Sequence, residues 1–219
     1  MTHITQNIQQ LLKELPPGVE LVAAAKTRTP AEITEALNAG IKILGENYVQ
    51  EAEQAYNAIG KLAQWHCIGH LQKNKVKKAV EIFDLIETVD TLDLAEEINK
   101  RCVQIGKIMP VLIEVNSGCE EQKAGAMPQN VIPLAQAVSG LANVRLVGLM
   151  TMGPAVGDPE DSRPYFVTTR EVFDELKRLN IPNVQMKYLS MGMTNSYKVA
   201  LQEGANMVRL GTLIFGERQ

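Results

Sequence analysis

The sequence predicts a single-domain (β/α)8 barrel over residues 1–219, with one additional helix at its N-terminus. Strand-like apolar segments alternate with helical segments about eight times, and the connections between them are short, which is typical of parallel βα units. The main alternative is an open, doubly wound sheet. It is weakened because no glycine-rich dinucleotide fingerprint follows the first predicted strand.

Composition narrows the classes of function. The chain has 219 residues, of which 45% are hydrophobic, and its formal net charge is -3. This charge argues against a protein that binds nucleic acids or membrane surfaces. The three cysteines show no pairing motif, so we expect neither a metal site nor disulfides, and a reducing cytoplasm is the expected location. The N-terminus lacks the basic and apolar regions of a signal peptide.

The N-terminal segment predicts an amphipathic helix within residues 1–17. Apolar residues recur there at helical spacing, and Pro16, Pro17 and Gly18 would end the helix; the apolar positions are Ile4, Ile8, Leu11, Leu12 and Leu15. Such a helix could be a lid over a site or a surface for a partner protein, and we favour the lid.

The βα units follow in order. Strands are predicted at residues 19–26, 41–47, 65–70, 83–90, 110–118, 144–152, 186–192 and 205–216. Helices are predicted at residues 29–39, 48–60, 71–80, 91–106, 128–140, 164–180 and 194–204. The strand segments are short and apolar, which indicates strands buried on both faces. The loop before the helix at 164–180 is rich in Gly, Pro and Asp and could be a mobile flap or a surface loop.

Lys26 is the first candidate for chemistry. It ends the first strand, VELVAAAK, just before a helix that Thr29 would cap, with Pro30 in the first turn and Glu32 completing a capping box. The three preceding alanines would leave space above the strand for something other than protein. Desolvation favours the neutral, nucleophilic amine. The alternative is a lysine that merely extends to solvent from a strand end.

The segment LSMGMTNSYKVALQEG predicts an anion site after the seventh strand. Gly192 suits a turn, residues 194–196 offer hydroxyl and amide groups, and the helix that follows has free N–H groups at its start. Barrels often bind phosphate at the loops after their last two strands, so Gly211 and Thr212 would supply the other half. The alternative is ordinary helix capping by Thr194 or Asn195.

Arg209 is unusual because it lies within an otherwise apolar strand, MVRLG. A guanidinium that faces a barrel interior needs a partner. One interpretation is an ion pair with a carboxylate such as Glu46 or Glu114, and the other is a donor to an atom of a cofactor. Further polar residues fall at the carboxyl ends of predicted strands, where barrels place their active groups: Glu46, Asn47, His70, Asn116, Thr151 and Ser190. His66 lies within its strand and is better explained as a hydrogen-bonded core residue.

Together these segments resemble the pyridoxal phosphate homeostasis protein family (the YggS/PROSC group). The matching pieces are LVAAAKTRTPAEI, LGENYVQEA, WHCIGHLQKNK, GLMTM and LSMGMTNSYKVALQEGANMVRLGTLIFG, which extend in order over essentially the whole chain. The resemblance implies a barrel similar to the N-terminal domain of alanine racemase, the fold-type III pyridoxal enzymes.

The resemblance also implies roles for individual residues. Lys26 would hold pyridoxal 5'-phosphate as a Schiff base, the internal aldimine, with Asn47 beside the ring and Arg209 facing the pyridine nitrogen. The phosphate would be held by Ser190, Ser196, Gly211 and Thr212, with backbone amides around Gly192 and Met193. The chain departs from many family members by carrying Asn195 and Ser196 where they have acidic residues. Losing negative charge beside a phosphate is physically harmless.

Arg209 also bears on the type of chemistry. Arginine cannot accept a proton, so a hydrogen bond from it requires an unprotonated ring nitrogen. Such a ring is a weaker electron sink than a pyridinium, which disfavours demanding carbanion chemistry.

Three functions remain open from the sequence. The resemblance favours a non-catalytic protein that binds pyridoxal phosphate and contributes to the homeostasis of vitamin B6 and of amino and keto acids. The second is an amino-acid racemase; such enzymes resemble a barrel plus a β-domain that supplies a catalytic tyrosine, and the end of this chain at FGERQ leads us to expect no such domain. We therefore expect a monomer without catalytic residues. The third is a regulatory protein whose docking to an unidentified protein partner depends on the cofactor.

Overall fold

The computed structural model describes residues 2–154 and 156–217. Its sheet is a closed barrel of eight parallel strands in chain order, in which β1 pairs with β8. The predicted (β/α)8 barrel with an extra N-terminal helix is therefore confirmed. The strands are β1 (Glu20–Ala24), β2 (Ile43–Glu46), β3 (Gln64–Cys67), β4 (Leu85–Val89), β5 (Met109–Val115), β6 (Val144–Thr151), β7 (Val184–Ser190) and β8 (Met207–Leu210).

Helices cover the outside of the barrel. They are α1 (His3–Glu14), α2 (Pro30–Asn38), α3 (Val49–Ile59), α4 (Val76–Ile82), α5 (Leu92–Ile105), α6 (Pro128–Ser139), α7 (Arg163–Leu179), α8 (Tyr197–Gln202) and α9 (Thr212–Phe215). Short 3-10 turns lie at Gly60–Leu62, Lys73–Lys75 and Pro159–Ser162. Among the described helices, none is long and apolar enough to cross a membrane.

The predicted strand at 205–216 was wrong in its second half. β8 ends at Leu210, and the chain then forms α9, whose Ile214 and Phe215 are buried. A short, continuous apolar run is compatible with either a buried strand or a buried helix, because its periodicity does not distinguish them. The difference matters because it places a helix start directly after β8.

The N-terminal helix α1 lies against the outside of the barrel. Its apolar face buries Ile4, Ile8 and Leu11, and the helix contacts α2 and α9. The Asn7 side chain donates to the carbonyl oxygen of Ile214 at 3.2 Å. The expectation of a lid was wrong, because the apolar face of α1 is used up in packing against neighbouring helices rather than covering the carboxyl ends of the strands.

The barrel interior has an apolar level and a polar level above it. Alternate residues along each strand point inward, and those of the lower level form two small apolar clusters that include Val22, Ile43, Leu85, Leu112, Val147, Tyr188 and Met207. The polar level lies nearer the carboxyl ends and contains buried His66, Glu87, Ser190 and Arg209. Core-filling side chains thus support a charged layer beneath the loops.

The contact between β7 and β8 has the least regular pairing in the barrel. The ladder aligns Ser190 with Met207, whereas β5 and β6 align along their whole length. The Asn206 side chain completes the contact, because its Oδ1 accepts from the backbone N–H of Leu189 at 2.8 Å and its Nδ2 donates to the carbonyl of Lys187 at 2.7 Å. This side-chain amide adds to the backbone hydrogen bonds across the contact, in which Met191 N–H donates to Met207, Asn206 N–H to Leu189 and Arg209 N–H to Gly192.

Candidate functional site

A cavity of about 410 Å³ opens at the carboxyl ends of the strands, between β1, β8 and the loop from β7 to α8. It is lined by Ala24, Lys26, Arg28, Pro154, Met193, Thr194, Asn195, Ser196, Arg209, Gly211 and Thr212. A volume of this size is within the range of sites for small molecules and cofactors. A larger cavity of about 570 Å³ lies near the start of β3, beside Trp65 and Lys107, but active groups of βα barrels gather at the carboxyl ends.

The first strand and the loop after it bring Lys26 to this cavity. Val22 is aligned with Arg209 across the β1–β8 ladder, and Ala24 and Lys26 follow Val22 on the inward side at a period of two. The predicted capping of α2 is confirmed: Thr29 is its N-cap, and Glu32 completes the capping box. Lys26 is thus held between a ladder and a capped helix.

The turn after Lys26 is fixed by an unusual backbone conformation. Thr27 has a φ of 64°, in the left-handed region that is unfavourable for a threonine. Its backbone N–H donates to Glu51 Oε2 on α3 at 3.3 Å. The neighbouring helix therefore helps to hold the loop that carries the lysine.

Arg209 crosses the barrel interior from β8. It is 4% exposed, its Nη1 donates to Ser190 Oγ at 2.5 Å, and its Nη2 donates to the carbonyl oxygen of Thr151 at 2.8 Å. Burial lowers the pKa of the guanidinium, and the carboxylates of Glu87 and Glu114 oppose that shift. Arg209 remains a charged donor that reaches the floor of the cavity.

The carboxylate beside Arg209 is Glu87 on β4, which the sequence interpretation missed. Its Oε2 lies 3.8 Å from Arg209 Nη1, and His66 Nδ1 lies 2.8 Å from its Oε1. Burial alone would raise the pKa of Glu87, but the hydrogen bond and charge of His66, with the charge of Arg209 and the Ser190 bond, lower it. The only sequence signal was an acidic residue inside an apolar strand, and the partner proposed there was a different carboxylate.

Glu46 and Glu114, the carboxylates suggested from the sequence as partners of Arg209, do not form its close ion pair, which is made by Glu87. Glu46 follows Leu44, which packs in the cluster between sheet and helices, and it borders a separate cavity with Thr27 and Glu51; the alternation of β2 turns it away from the barrel interior. Burial and the charge of Glu51 raise its pKa to about 8. Glu114 is buried, and burial followed by the charge of Asp90 raises its pKa to about 7, while Arg209 lowers it. It acts on Arg209 through its charge alone.

The loop from β7 to α8 forms one side of the predicted anion site. The backbone N–H groups of Ser196 and Tyr197 both donate to the carbonyl of Met193 at 2.9 Å, and Ser196 Oγ accepts from the Met193 N–H at 3.4 Å. α9 begins opposite, with Gly211 as its N-cap. The starts of α8 and α9 therefore border one cavity, and the Ser196 and Tyr197 N–H groups are bonded within the loop.

Three predicted site residues do not line the cavity. Ser190 is fully buried beneath it, where its hydroxyl donates to Glu87 Oε2 at 2.6 Å and accepts from Arg209. Gly192 has a φ of 91° and packs against α8. Asn47 is half-buried, and its carbonyl lies so close to Gly69 that a Cβ there would be 2.4 Å away. The contacts predicted for these residues with a cofactor stay predictions.

The remaining sequence candidates, His70, Asn116 and Thr151, do not line the cavity at Lys26. His70 is exposed, and Asn116 organises the loop after β5 through Nδ2 bonds to the carbonyls of Glu120 at 2.8 Å and Lys123 at 3.2 Å. Thr151 contributes its carbonyl to Arg209. Within residues 2–154 and 156–217, no group of three or more His, Cys, Asp or Glu residues could hold a metal ion.

Arg28 is a cavity residue that the sequence did not single out. Its Nη2 donates to the carbonyl of Gly216 at 2.7 Å, and its guanidinium lies 5.3 Å from the centre of the Phe215 ring. The residue therefore ties the loop that carries Lys26 to the end of α9. The sequence signal that could have identified Arg28 was its position in the predicted loop between the first strand and its helix.

Comparison with protein families identifies the domain type. A family model for the N-terminal domain of alanine racemase matches residues 1–219. The pyridoxal phosphate homeostasis protein of Aquifex aeolicus is 44% identical over 223 residues, which cover 100% of this chain and 97% of that protein. The protein of the same name from Pasteurella multocida is 36% identical over 224 residues, which cover 100% of this chain and 96% of that protein.

Solved structures agree with the fold. PipY of Synechococcus elongatus, solved with PLP bound, has a TM-score of 0.89 and 33% identity, covering 97% of this chain and 100% of that chain. Alanine racemase of Clostridium difficile has a TM-score of 0.81 at 15% identity, covering 99% of this chain and 56% of that chain. This second similarity shows the barrel fold alone.

Proposed function

This chain belongs to the pyridoxal phosphate homeostasis protein family, and on that premise we propose that it binds pyridoxal 5'-phosphate in the cavity at Lys26. The observation that carries the proposal is the convergence of an amine, a guanidinium and two helix starts on one cavity of about 410 Å³. An aldehyde phosphate needs these partners: a neutral amine for its carbonyl, a donor for its ring nitrogen and N–H groups for its phosphate. The PLP-bound PipY structure supports the assignment.

In this proposal each group has one task. Lys26 is the point of covalent attachment, as a Schiff base. Arg209 would face the ring nitrogen, and because a guanidinium donates and does not accept, it would favour an unprotonated nitrogen. Ser196, Gly211 and Thr212, with the backbone around Met193, hold the phosphate. Held in this way, the reactive aldehyde of the cofactor would be masked by the lysine until the attachment is reversed.

The location of the attachment tests this proposal. Purified protein is incubated with pyridoxal phosphate, reduced with borohydride and digested, and the modified peptide is identified by mass spectrometry. We expect the modification on Lys26, together with a visible absorbance band that is lost in Lys26→Ala. Lys107→Ala is the control, because this half-buried lysine borders the other large cavity and donates to the carbonyls of Val80 and Phe83. Attachment at Lys107, or no binding, would overturn the proposal.

We also propose that the protein handles the cofactor without turning over a substrate. Its relatives are named as homeostasis proteins. Racemisation through two bases needs an acid–base group on each side of the substrate carbon, and the described residues that line the cavity include no tyrosine, histidine or carboxylate beside Lys26. We expect no racemisation of alanine by the loaded protein beyond that of free pyridoxal phosphate. Measurable turnover would contradict this role.

A homeostatic role further requires that the bound cofactor can leave. We expect the loaded protein to restore the activity of an apo pyridoxal enzyme and to release the cofactor reversibly. The cofactor would thereby affect the balance of vitamin B6 and of amino and keto acids. Retention of the cofactor during prolonged dialysis against that apo enzyme would argue against this part of the proposal.

We propose that the protein is a cytoplasmic monomer. Its three cysteines are free thiols, and Cys119 is exposed, which suits a reducing compartment. Light scattering after size-exclusion chromatography measures the molar mass directly. A mass near 24.1 kDa supports the monomer, and twice that mass contradicts it.

A further inference from the structure

Four side chains form a continuous hydrogen-bonded chain inside the barrel, directly beneath the cavity. Arg209 Nη1 donates to Ser190 Oγ at 2.5 Å, the Ser190 hydroxyl donates to Glu87 Oε2 at 2.6 Å, and His66 Nδ1 lies 2.8 Å from Glu87 Oε1. All four are buried. We call this set, His66, Glu87, Ser190 and Arg209, the buried relay.

Only one end of the buried relay reaches the cavity. Arg209 lines the cavity, whereas the other three members do not. The guanidinium plane is fixed at two points, because Nη1 is bound to Ser190 and Nη2 to the carbonyl of Thr151 at 2.8 Å. The Thr151 bond alone would allow the group to rotate about that contact.

Glu87 determines which way the Ser190 hydroxyl points. A serine oxygen carries one proton and accepts through its lone pairs. Because the Ser190 hydroxyl donates its hydrogen bond to the Glu87 carboxylate, the lone pairs of the Ser190 oxygen are left to accept from Arg209. An amide at position 87 could accept at only one end, since its other terminal atom is a donor, so with Nδ1 of His66 donating it could not also accept from Ser190.

We propose that Glu87 is a positioning residue that, through Ser190, holds the Arg209 guanidinium in the orientation presented to the cavity. This inference rests on the proposed function, because the ring end of pyridoxal phosphate is what that guanidinium would meet. It also gives Ser190 a role different from the phosphate contact implied by its sequence motif. The two roles make opposite predictions for a ligand that lacks the phosphate.

The first test needs no cofactor. The Nε and Nη signals of Arg209 are observed by nitrogen-15 NMR in the unliganded protein and assigned by their loss in Arg209→Lys. We expect restricted rotation and slow proton exchange in the wild type, and averaged, faster-exchanging Nη signals in Glu87→Gln and Ser190→Ala. Unchanged Arg209 signals in both variants would overturn the proposal.

The second test measures binding of pyridoxal phosphate and of pyridoxal. A positioning role at the ring end predicts that Glu87→Gln and Ser190→Ala weaken both ligands by a similar factor, roughly tenfold, and change the absorbance of the bound ligand. The double variant should be no weaker than either single one, because both changes break the same chain. Loss confined to pyridoxal phosphate would instead show that Ser190 holds the phosphate and would overturn the proposal.

Glu114→Gln is the matched control. Glu114 is a buried carboxylate on the neighbouring strand whose charge also acts on Arg209, so its loss separates the electrostatic field from the hydrogen-bonded chain. We expect it to leave the Arg209 signals sharp; a change equal to that of Glu87→Gln would contradict positioning. If Glu87→Gln does not fold, Ser190→Ala decides, because it keeps both charges. If wild-type protein binds neither ligand, the proposed function fails while the NMR test still stands.

Discussion

The guanidinium of Arg209 on β8 donates to the backbone carbonyl of Thr151 at the end of β6, at 2.8 Å. One side chain thereby joins two strands that are separated by β7. Arg209→Lys keeps the charge but has a single nitrogen that cannot serve both Thr151 and Ser190. We expect it to lower the free energy of unfolding by about 1–3 kcal/mol, measured by urea denaturation. Arg145→Lys, an exposed change on β6, should stay within about 0.5 kcal/mol; equal effects would contradict the bridging role.

Glu46 should make stability depend on pH. Its pKa is raised from 4.5 to about 8 in the folded protein by burial and by Glu51. Between these values the folded state binds more protons than the unfolded state, so stability is lost as the pH rises, by up to about 1.4 kcal/mol per pH unit. Glu46→Gln cannot ionise, and we expect it to match the wild type below the unfolded pKa of 4.5 and to exceed it near pH 8.5.

The matched control for Glu46 is the exposed carboxylate of Glu53 on α3. Urea denaturation of Glu53→Gln across the same pH range should give a curve parallel to that of the wild type. If the Glu46→Gln curve is parallel too, the pKa of Glu46 is the same in the folded and unfolded states, which would contradict the raised value.

Gly192 should tolerate no side chain. A Cβ there would lie 2.7 Å from the Cβ of Ala200 and 2.8 Å from the Cα of Tyr197. Gly18→Ala is the control, because Gly18 has a similar φ of 87° but nothing within 4 Å. We expect both alanines to cost stability through backbone strain, and Gly192→Ala to cost an additional ~1–3 kcal/mol through overpacking. The same Tm for the two variants would contradict the close approach of this loop to α8.

Glu203 should stabilise the attachment of α7 to the end of α8. Its two carboxylate oxygens each accept from an arginine, Arg163 and Arg170, at 2.5 Å. Because the carboxylate is buried while the arginines are partly exposed, we expect Glu203→Gln to cost about 1–2 kcal/mol. Glu160→Gln removes an exposed partner of the same Arg163 and should cost less than about 0.5 kcal/mol. Thermal denaturation of the two variants distinguishes these values, and a larger loss in Glu160→Gln would refute the assignment.

The fold was predictable because its signal is repeated in every unit. Alternating apolar strands and helices indicate a barrel even where the ends of single elements are misplaced, and the capping box at Thr29 and Glu32 was read directly from residue types. The segment after Leu210 was misassigned because burial on all sides removes the periodicity that separates helix from strand. The position of α1 depends on which neighbours complete its apolar face, and no local pattern encodes that.

The site was predictable only at residues whose local sequence restricts their position. Lys26 and Arg209 were identified from a strand end and from a charge inside an apolar strand, and the structure brings them to one cavity. Glu87 was missed because the choice among several buried acidic residues depends on strand register and on small irregularities in β4–β5 pairing. The resemblance implied that Ser190 holds the phosphate, and that contact stays a prediction, because a strand end does not reveal whether its last side chain points up to the loops or down into the barrel.

The side-chain amide of Asn206 that completes the contact between β7 and β8 implies where the closed cylinder first opens. Amide protons between β7 and β8 should exchange with deuterium sooner than those between β5 and β6, since the regular ladder is shorter there. A ligand that touches the starts of both α8 and α9 would bridge this seam and slow that exchange. Slower exchange at the β7–β8 contact would then report that the cavity is occupied.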